Sequence, residues 1–174
     1  MSLPLLVDQG DKSVPWTARP CTSASCKAAQ HIVELSRSLM DACNPHCYDL
    51  LKSLGEQHVA PTFRAKFEST SLNSWEEFLA SQRYWGELHP KWENRIVHAT
   101  AEVNDNHANG TVYLLTEILR WSRDVKRTAV TVHKWKKSAG KWVCYEAMTM
   151  RGLDPMLGGG DQEANPEPPS NQEN

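Results

Sequence analysis

A histidine and a glutamate in the second half of the chain are the side chains best suited to chemistry. His98 lies in NRIVHATAEVN, where apolar and polar residues alternate, and Glu117 follows in TVYLLTEILRW. An imidazole titrates near neutral pH and can shuttle a proton. A carboxylate among apolar neighbours such as Tyr113, Leu115 and Leu119 has a raised pKa. The two residues are therefore predicted to be a catalytic acid/base pair.

Both residues also have a structural interpretation. His98 would then face solvent or a dimer partner, and Glu117 would pair with Arg120 or Arg151 near a sheet edge. The choice depends on which sheet face lines a cavity. Alternation alone leaves this open, because bulges in a bent sheet reset it.

Aromatic and flexible side chains occur where they could line a binding cavity. His133 and Trp135 share one face of a strand, and Glu146 and Met148 share one face of the next. These faces either line a pocket or form an outer surface through which the domain dimerises. A Tyr-Trp pair at a helix end would form a lid or part of the core. The predicted substrate-binding residues are Tyr48, Tyr84, Trp85, Tyr113, Leu115, His133, Trp135, Glu146 and Met148.

The composition and the absence of several motifs argue against some classes of protein. The chain has 174 residues, with 19 basic and 21 acidic side chains and a net charge of -2, unlike the basic proteins that bind nucleic acids or membrane surfaces. The basic stretch 120–141 is interpreted as a solvated hairpin. No glycine-rich nucleotide loop, HExxH or GxSxG occurs, so neither a cofactor nor a metal is expected. No apolar run approaches the roughly 20 residues that span a bilayer.

Helical patterns dominate the first half of the chain. Ser23 or Ser25 would cap a helix that runs to about Cys43, and a short helix over residues 48–54 would end at Gly55. A strand is predicted over residues 59–67. Ser74 with Glu77 forms a capping-box pattern, which begins a helix that reaches about residue 85.

After Pro90 the apolar period changes from 3.6 to 2. Strands are predicted over residues 94–104, 111–121, 127–136 and 142–150, joined by turns at 105–110 and 138–141. Helices followed by an antiparallel meander indicate an α+β fold with the helices on one face of a curved sheet.

The two ends of the chain differ from this body. Residues 1–22 are predicted to be an N-terminal tail, residues 23–153 the folded domain, and residues 154–174 a disordered acidic tail. The five cysteines include no CxxC pair, and no secretion signal is recognised. Reduced thiols and a cytoplasmic location are therefore expected.

Five segments resemble the SnoaL-like branch of the NTF2-like superfamily, and they are most similar to its small fungal members. They are MDACNPHCYDLL at 40–51, SWEEFLASQR at 74–83, PKWENRIVHATAEVND at 90–105, GTVYLLTEI at 110–118 and TVHKWKKSAGKWVCYEAMTMRG at 131–152. The resemblance implies a cone in which a strongly bent antiparallel sheet and three helices enclose a pocket.

The resemblance also implies a function. Similar proteins include isomerases and cyclases of polyketide and terpenoid pathways, so we expect a cofactor-free isomerase or cyclase, or a related lyase, of secondary metabolism. It would act on a hydrophobic polycyclic intermediate by proton transfer inside the cone. The alternative is a non-catalytic ligand-binding or scaffold domain. A homodimer built on the outer sheet face is expected because both alternating sets around residues 112–121 carry large apolar side chains.

Overall fold

Two of the three helices begin at the serine N-caps that the sequence predicts. The computed structural model describes residues 23–45, 47–67, 70–120 and 126–151, and the predicted tails lie outside these ranges. Helix α1 spans Ala24–Ala42, α2 spans Tyr48–His58 and α3 spans Trp75–Leu88. Ser23 Oγ accepts a hydrogen bond from the Cys26 N–H at 3.1 Å, and Ser74 Oγ accepts one from the Glu77 N–H at 3.1 Å. The predicted N-caps of α1 and α3 are confirmed.

Helix α2 is longer than predicted, because Gly55 lies within it rather than ending it. A Cβ atom added at this position would collide with the indole ring of Trp75. The glycine therefore allows α2 and α3 to approach closely, and it does not act as a helix C-cap here.

Six strands form one curved sheet. They are β1 Val59–Phe67, β2 Thr70–Leu72, β3 Glu93–Val103, β4 Asn109–Leu119, β5 Arg127–Ser138 and β6 Lys141–Arg151, in the order β2-β1-β6-β5-β4-β3. Strands β3 to β6 are the predicted antiparallel meander. The sheet is mixed rather than wholly antiparallel, because β1 pairs with β6 in parallel. The predicted α+β architecture is otherwise confirmed.

The two faces of the sheet follow from the register. Directly paired residues share a face, so Ala99, Leu114 and Thr131 lie on one side with Thr149. Helix α1 packs on this side, which we call the inner face: Ile32, Leu39 and Met40 join Val112, Leu114 and Trp135 in one apolar core. The opposite side is the outer face.

Helix α1 runs over the inner face between two fixed points. Near its middle, Ser36 Oγ accepts a hydrogen bond from Trp135 Nε1 at 2.9 Å. Beyond its C-terminal end, the Asn44 side chain donates to the Asn94 carbonyl oxygen at 3.2 Å and accepts from the Asn94 N–H at 2.6 Å. These contacts hold the helix end against β3.

Two further findings concern the cysteines and the helices. Cys26 is disulfide-bonded, so the prediction of reduced thiols is wrong at this position. Cys43, Cys47 and Cys144 are free.

Among the described residues, no helix is long and apolar enough to cross a membrane.

Candidate functional site

The predicted catalytic residues lie on the outer face of the sheet. His98 pairs with Leu115, and Glu117 pairs with Arg95 and Thr128, all of them on that side. Val97 is an extra residue between the pairs of Ile96 and His98, and this bulge shifts the alternation of β3. The prediction that His98 or Glu117 faces a helix-covered pocket is therefore wrong, and the geometry does not support their acid/base pairing.

The surroundings of Glu117 are ionic rather than apolar. Its carboxylate contacts the ammonium group of Lys126 and the guanidinium of Arg95, whose Nε lies 3.1 Å from Oε2. Hydrogen bonds from Lys126 and Arg95 lower the pKa of Glu117. The raised pKa predicted for this residue is wrong, because its charged form is the stabilised one.

Four of the predicted substrate-binding residues also lie on the outer face. The register places Tyr113 beside Val132, Leu115 beside Val130, and Met148 beside Val132. Glu146 forms an ion pair with Lys134 at 2.7 Å. Tyr113, Leu115, Glu146 and Met148 therefore do not line the inner face, contrary to the prediction.

The aromatic pair at the end of α3 packs locally. The Tyr84 side chain is half exposed, and its ring meets the Trp85 ring edge-on with centroids 5.2 Å apart. Trp85 in turn stacks on His89 with ring centroids 5.8 Å apart. Neither residue is among those that line the cavity between the helix ends, described below.

Two predicted residues do lie on the inner face, with different environments. Trp135 is fully buried in the core, and its indole N–H is bound by Ser36. His133 is 5% exposed, and its Nδ1 has no hydrogen-bond partner. Burial lowers the pKa of His133 from 6.5 to about 4, so this imidazole is neutral at physiological pH.

A strip of polar side chains accompanies His133 along the inner face. The Thr131 and Thr149 hydroxyls lie 3.1 Å apart, and Thr116 donates to the Ala129 carbonyl oxygen at 3.3 Å. Asn94, at the far end of β3, has a buried Oδ1 without a partner. We call Asn94, Thr116, Thr131, His133 and Thr149 the inner polar strip. The residues other than His133 were missed in the sequence, although a threonine or asparagine on an apolar strand face was a usable signal.

A cavity of about 440 Å³ opens between the helix ends. It is bounded by the C-terminal end of α1, the first turns of α2 and the C-terminal half of α3. Tyr48 lines it, as do Cys43 and Asn44, the residue that is bonded to Asn94 of the inner polar strip. The volume falls within the range of small-molecule sites, roughly 300–1,000 Å³.

The polar groups of the cavity include an exposed ion pair, a buried thiol and a buried amide oxygen. Arg83 pairs with Glu87 at 3.1 Å and lies over the Tyr48 ring, 5.7 Å from its centroid. Burial raises the pKa of the Cys43 thiol to about 12, so this thiol is protonated and a poor nucleophile. Gln82 lines the cavity, and its Oε1 is buried with no hydrogen-bond partner.

The described part of the chain contains no cluster of three or more His, Cys, Asp or Glu side chains that could hold a metal ion. The residues that line the cavity carry a phenol, a thiol, amides, a guanidinium and the carboxyl groups of Asp49 and Glu87, and the inner face adds an imidazole and hydroxyls. These groups can move protons and form hydrogen bonds.

Comparison with known proteins identifies the fold. No family model matches the chain, and no curated protein matches it. An NTF2-like protein of unknown function from Pseudomonas putida superposes with a TM-score of 0.63 at 10% identity, covering 82% of this chain and 99% of that one. The chain therefore has the NTF2-like fold, and the resemblance noted in the sequence is confirmed at this level.

Two other solved structures carry functional descriptions. A proposed isomerase of the SnoaL-like family from Agrobacterium tumefaciens has a TM-score of 0.55 at 13% identity, covering 71% of this chain and 97% of that one. A proposed dehydratase of the NTF2-like family from Streptomyces avermitilis has a TM-score of 0.61 at 12% identity, covering 74% and 98%. At these identities the similarity extends to the fold alone.

Proposed function

We propose that this chain is a cofactor-free isomerase or cyclase that moves a proton within a hydrophobic polycyclic polyketide or terpenoid intermediate. The substrate would lie between the helix ends and the inner polar strip. A fold shared with proposed isomerases and dehydratases supports this proposal, and the cavity between the helix ends, which His133 does not line, has a volume that suits a small molecule. The observation that carries it is the buried His133 with its unpartnered Nδ1.

A buried imidazole atom without a partner is costly. Leaving such a polar group unsatisfied costs about 1–3 kcal/mol, whereas an apolar side chain at the same place would pack without this penalty. His133 also lies between Val112 and Ala147 in the register, which do not stabilise its charged form. A function that needs a neutral imidazole explains why this position is polar.

In the proposed reaction, His133 takes a proton from a substrate carbon next to a carbonyl group. The resulting enolate can be protonated at another carbon, which isomerises the substrate. Alternatively, its nucleophilic carbon attacks a second carbonyl carbon, which closes a ring. In both cases the proton returns from His133, so no cofactor is consumed. A base of low pKa suffices when hydrogen bonds stabilise the enolate oxygen. The Thr131 and Thr149 hydroxyls or the Tyr48 phenol would supply such bonds.

The test uses 2-tetralone, a bicyclic ketone with acidic carbon protons, as the probe. The full chain is expected to accelerate deuterium exchange at these carbons, followed by NMR. His133→Gln removes the titrating group and should lower this acceleration by about two to four orders of magnitude. His31→Gln, at an exposed position of α1, is the matched control and should match the wild type.

The exchange experiment also discriminates between the two classes of function. Acceleration that survives His133→Gln would remove this residue from the mechanism. A wild-type chain that binds the ketone without accelerating exchange would instead support the non-catalytic ligand-binding alternative.

The cytoplasmic location and the similarity to small fungal members of the superfamily remain predictions from the sequence.

We also propose that the chain forms a homodimer through the outer face. Two rows of paired residues cross four strands there: Met148, Val132, Tyr113 and Thr100 form one row, and Met150, Val130, Leu115 and His98 form the other. We call the six apolar members of these rows the outer patch. Among them, Tyr113 is 38% exposed, Leu115 39% and Met150 52%.

The charges around the outer patch favour a second copy of the chain as the partner. The Lys134–Glu146 ion pair borders one row, and Glu117 with Arg95 and Lys126 borders the other. These charges are paired within the chain, so two such faces would meet without strong repulsion. Apolar centres with polar rims are typical of protein interfaces, and two-fold dimers are the commonest closed assembly.

A further inference from the structure

The inward-facing side chains of α3 form a stripe that is apolar in the core, but they are polar or absent where the helix reaches the cavity. Trp75, Phe78 and Leu79 pack in the core, and Trp75 stacks on Phe78 with ring centroids 5.0 Å apart. The next positions of the same stripe are Gln82 and Gly86, and both line the cavity. A helix face that buries large apolar groups thus ends in an amide and a glycine.

Gln82 is the polar member of this stripe, and its carbonyl oxygen is buried without a partner. A buried acceptor left unpaired is destabilising, because its hydrogen bond to water is lost and not replaced. A leucine or methionine at this position would extend the apolar stripe and avoid that cost. The amide is therefore poorly explained by packing, whereas a hydrogen-bond donor on a bound molecule would satisfy it.

We infer that Gln82 is a specificity-determining residue that selects ligands carrying a hydroxyl group on an apolar ring system. On binding, rotation of the Gln82 side chain brings its carbonyl oxygen, which is buried in the structure, into the cavity to accept the hydroxyl, and the ring fills the space beside Gly86. This inference rests on the proposed function in one respect, since it places the substrate in the same cavity. It adds that the substrate is a hydroxylated polycycle.

The experiment compares two probes of similar shape, 2-naphthol and 2-methylnaphthalene. Each is titrated into the ¹⁵N-labelled full chain, and dissociation constants are taken from NMR shift changes, with the Gly86 amide reporting on the cavity. In the wild type, the Gln82 side-chain amide signal should shift with 2-naphthol and stay in place with 2-methylnaphthalene. This wild-type measurement needs no variant to fold.

Gln82→Met keeps the length of the side chain and removes the amide. The preference for 2-naphthol over 2-methylnaphthalene should fall about 2- to 13-fold, which corresponds to one hydrogen bond of roughly 0.5–1.5 kcal/mol. The matched control is Gln57→Met, because Gln57 is exposed on α2 and bonded to Ser53. This control should leave the preference unchanged.

The outcomes separate this inference from the proposed function. If both probes shift Gly86 equally and the Gln82 amide does not move, the inference is wrong while the cavity remains a binding site. If the naphthol preference depends on Gln82 but 2-tetralone exchange is not accelerated, the catalytic proposal fails and the inference stands. If neither probe perturbs the cavity, the inference is overturned, whereas the catalytic proposal is decided by the 2-tetralone exchange.

Discussion

His133 shows how one side chain couples stability to function. Its imidazole lies on the buried inner face, where a neutral ring is tolerated and a charged ring is not. The same burial that makes it neutral also makes its folded-state protonation unfavourable. Stability measurements can therefore detect its environment without any substrate.

The first prediction concerns the pH dependence of stability. The pKa of His133 is lowered from 6.5 to about 4, so below pH 6.5 the unfolded chain binds a proton that the folded chain resists. Stability contributed by this residue is fully present above pH 6.5 and is lost as pH falls towards 4. The loss amounts to about 3 kcal/mol between these limits.

The measurement is urea unfolding of the wild type and His133→Leu between pH 7 and pH 4.5. The variant should gain stability relative to the wild type as the pH falls, because it has no imidazole to protonate. A difference between the two proteins that does not change with pH would contradict the burial of a neutral His133.

At the scale of the helices, Gly55 allows α2 to pack closely against α3. The Trp75 ring occupies the space where a side chain at Gly55 would lie, and the same ring packs edge-on against Phe63 of β1 with centroids 5.3 Å apart. This contact anchors the N-terminal end of α3, and with it the direction in which Gln82 and Gly86 approach the cavity.

Gly55→Ala is therefore expected to destabilise the protein, although alanine is the better helix former by about 1 kcal/mol. The new methyl group would force Trp75 to move, and overpacking of this kind costs about 1–3 kcal/mol. The matched control is Gly86→Ala in α3, where an added Cβ would meet its nearest atom, Pro45 Cα, at 4.0 Å. The control should raise the thermal midpoint, whereas a rise in both variants would argue against the tight α2–α3 contact.

For the whole molecule, we propose that the two sheet faces have different functions. The inner face and the helix ends hold the ligand, and the outer patch holds a second copy. The residues first considered for catalysis, His98 and Glu117, lie at the border of that patch. This division makes assembly testable without disturbing the cavity.

Leu115→Glu places a charge in the centre of the outer patch and should convert the dimer into a monomer. Sedimentation equilibrium should give twice 19.7 kDa for the wild type and 19.7 kDa for the variant at micromolar concentration. Leu88→Glu is the control, because Leu88 is 51% exposed at the end of α3. A wild-type mass of 19.7 kDa that does not rise with concentration would rule out the proposed dimer.

The sequence by itself determined most of the elements of this protein, since the signals for them are local. The caps at Ser23 and Ser74, the strand periods after Pro90 and the turn residues between strands act within a few residues. The α+β order and the resemblance to a cone-shaped superfamily followed from these signals. They were enough for the fold, apart from the short strand β2, which was not predicted, and the parallel pairing of β1 with β6.

Only the tertiary structure decided which side chains meet, because a strand's alternation defines two faces without saying which is covered. His98 lies on the outer face because its neighbour Ala99 pairs with Leu114 of the core, and distant partners made Glu117 an ion-pair residue. His133 became the buried imidazole because α1 packs on its side of the sheet. Such choices depend on contacts between residues far apart in the chain, which no local pattern records.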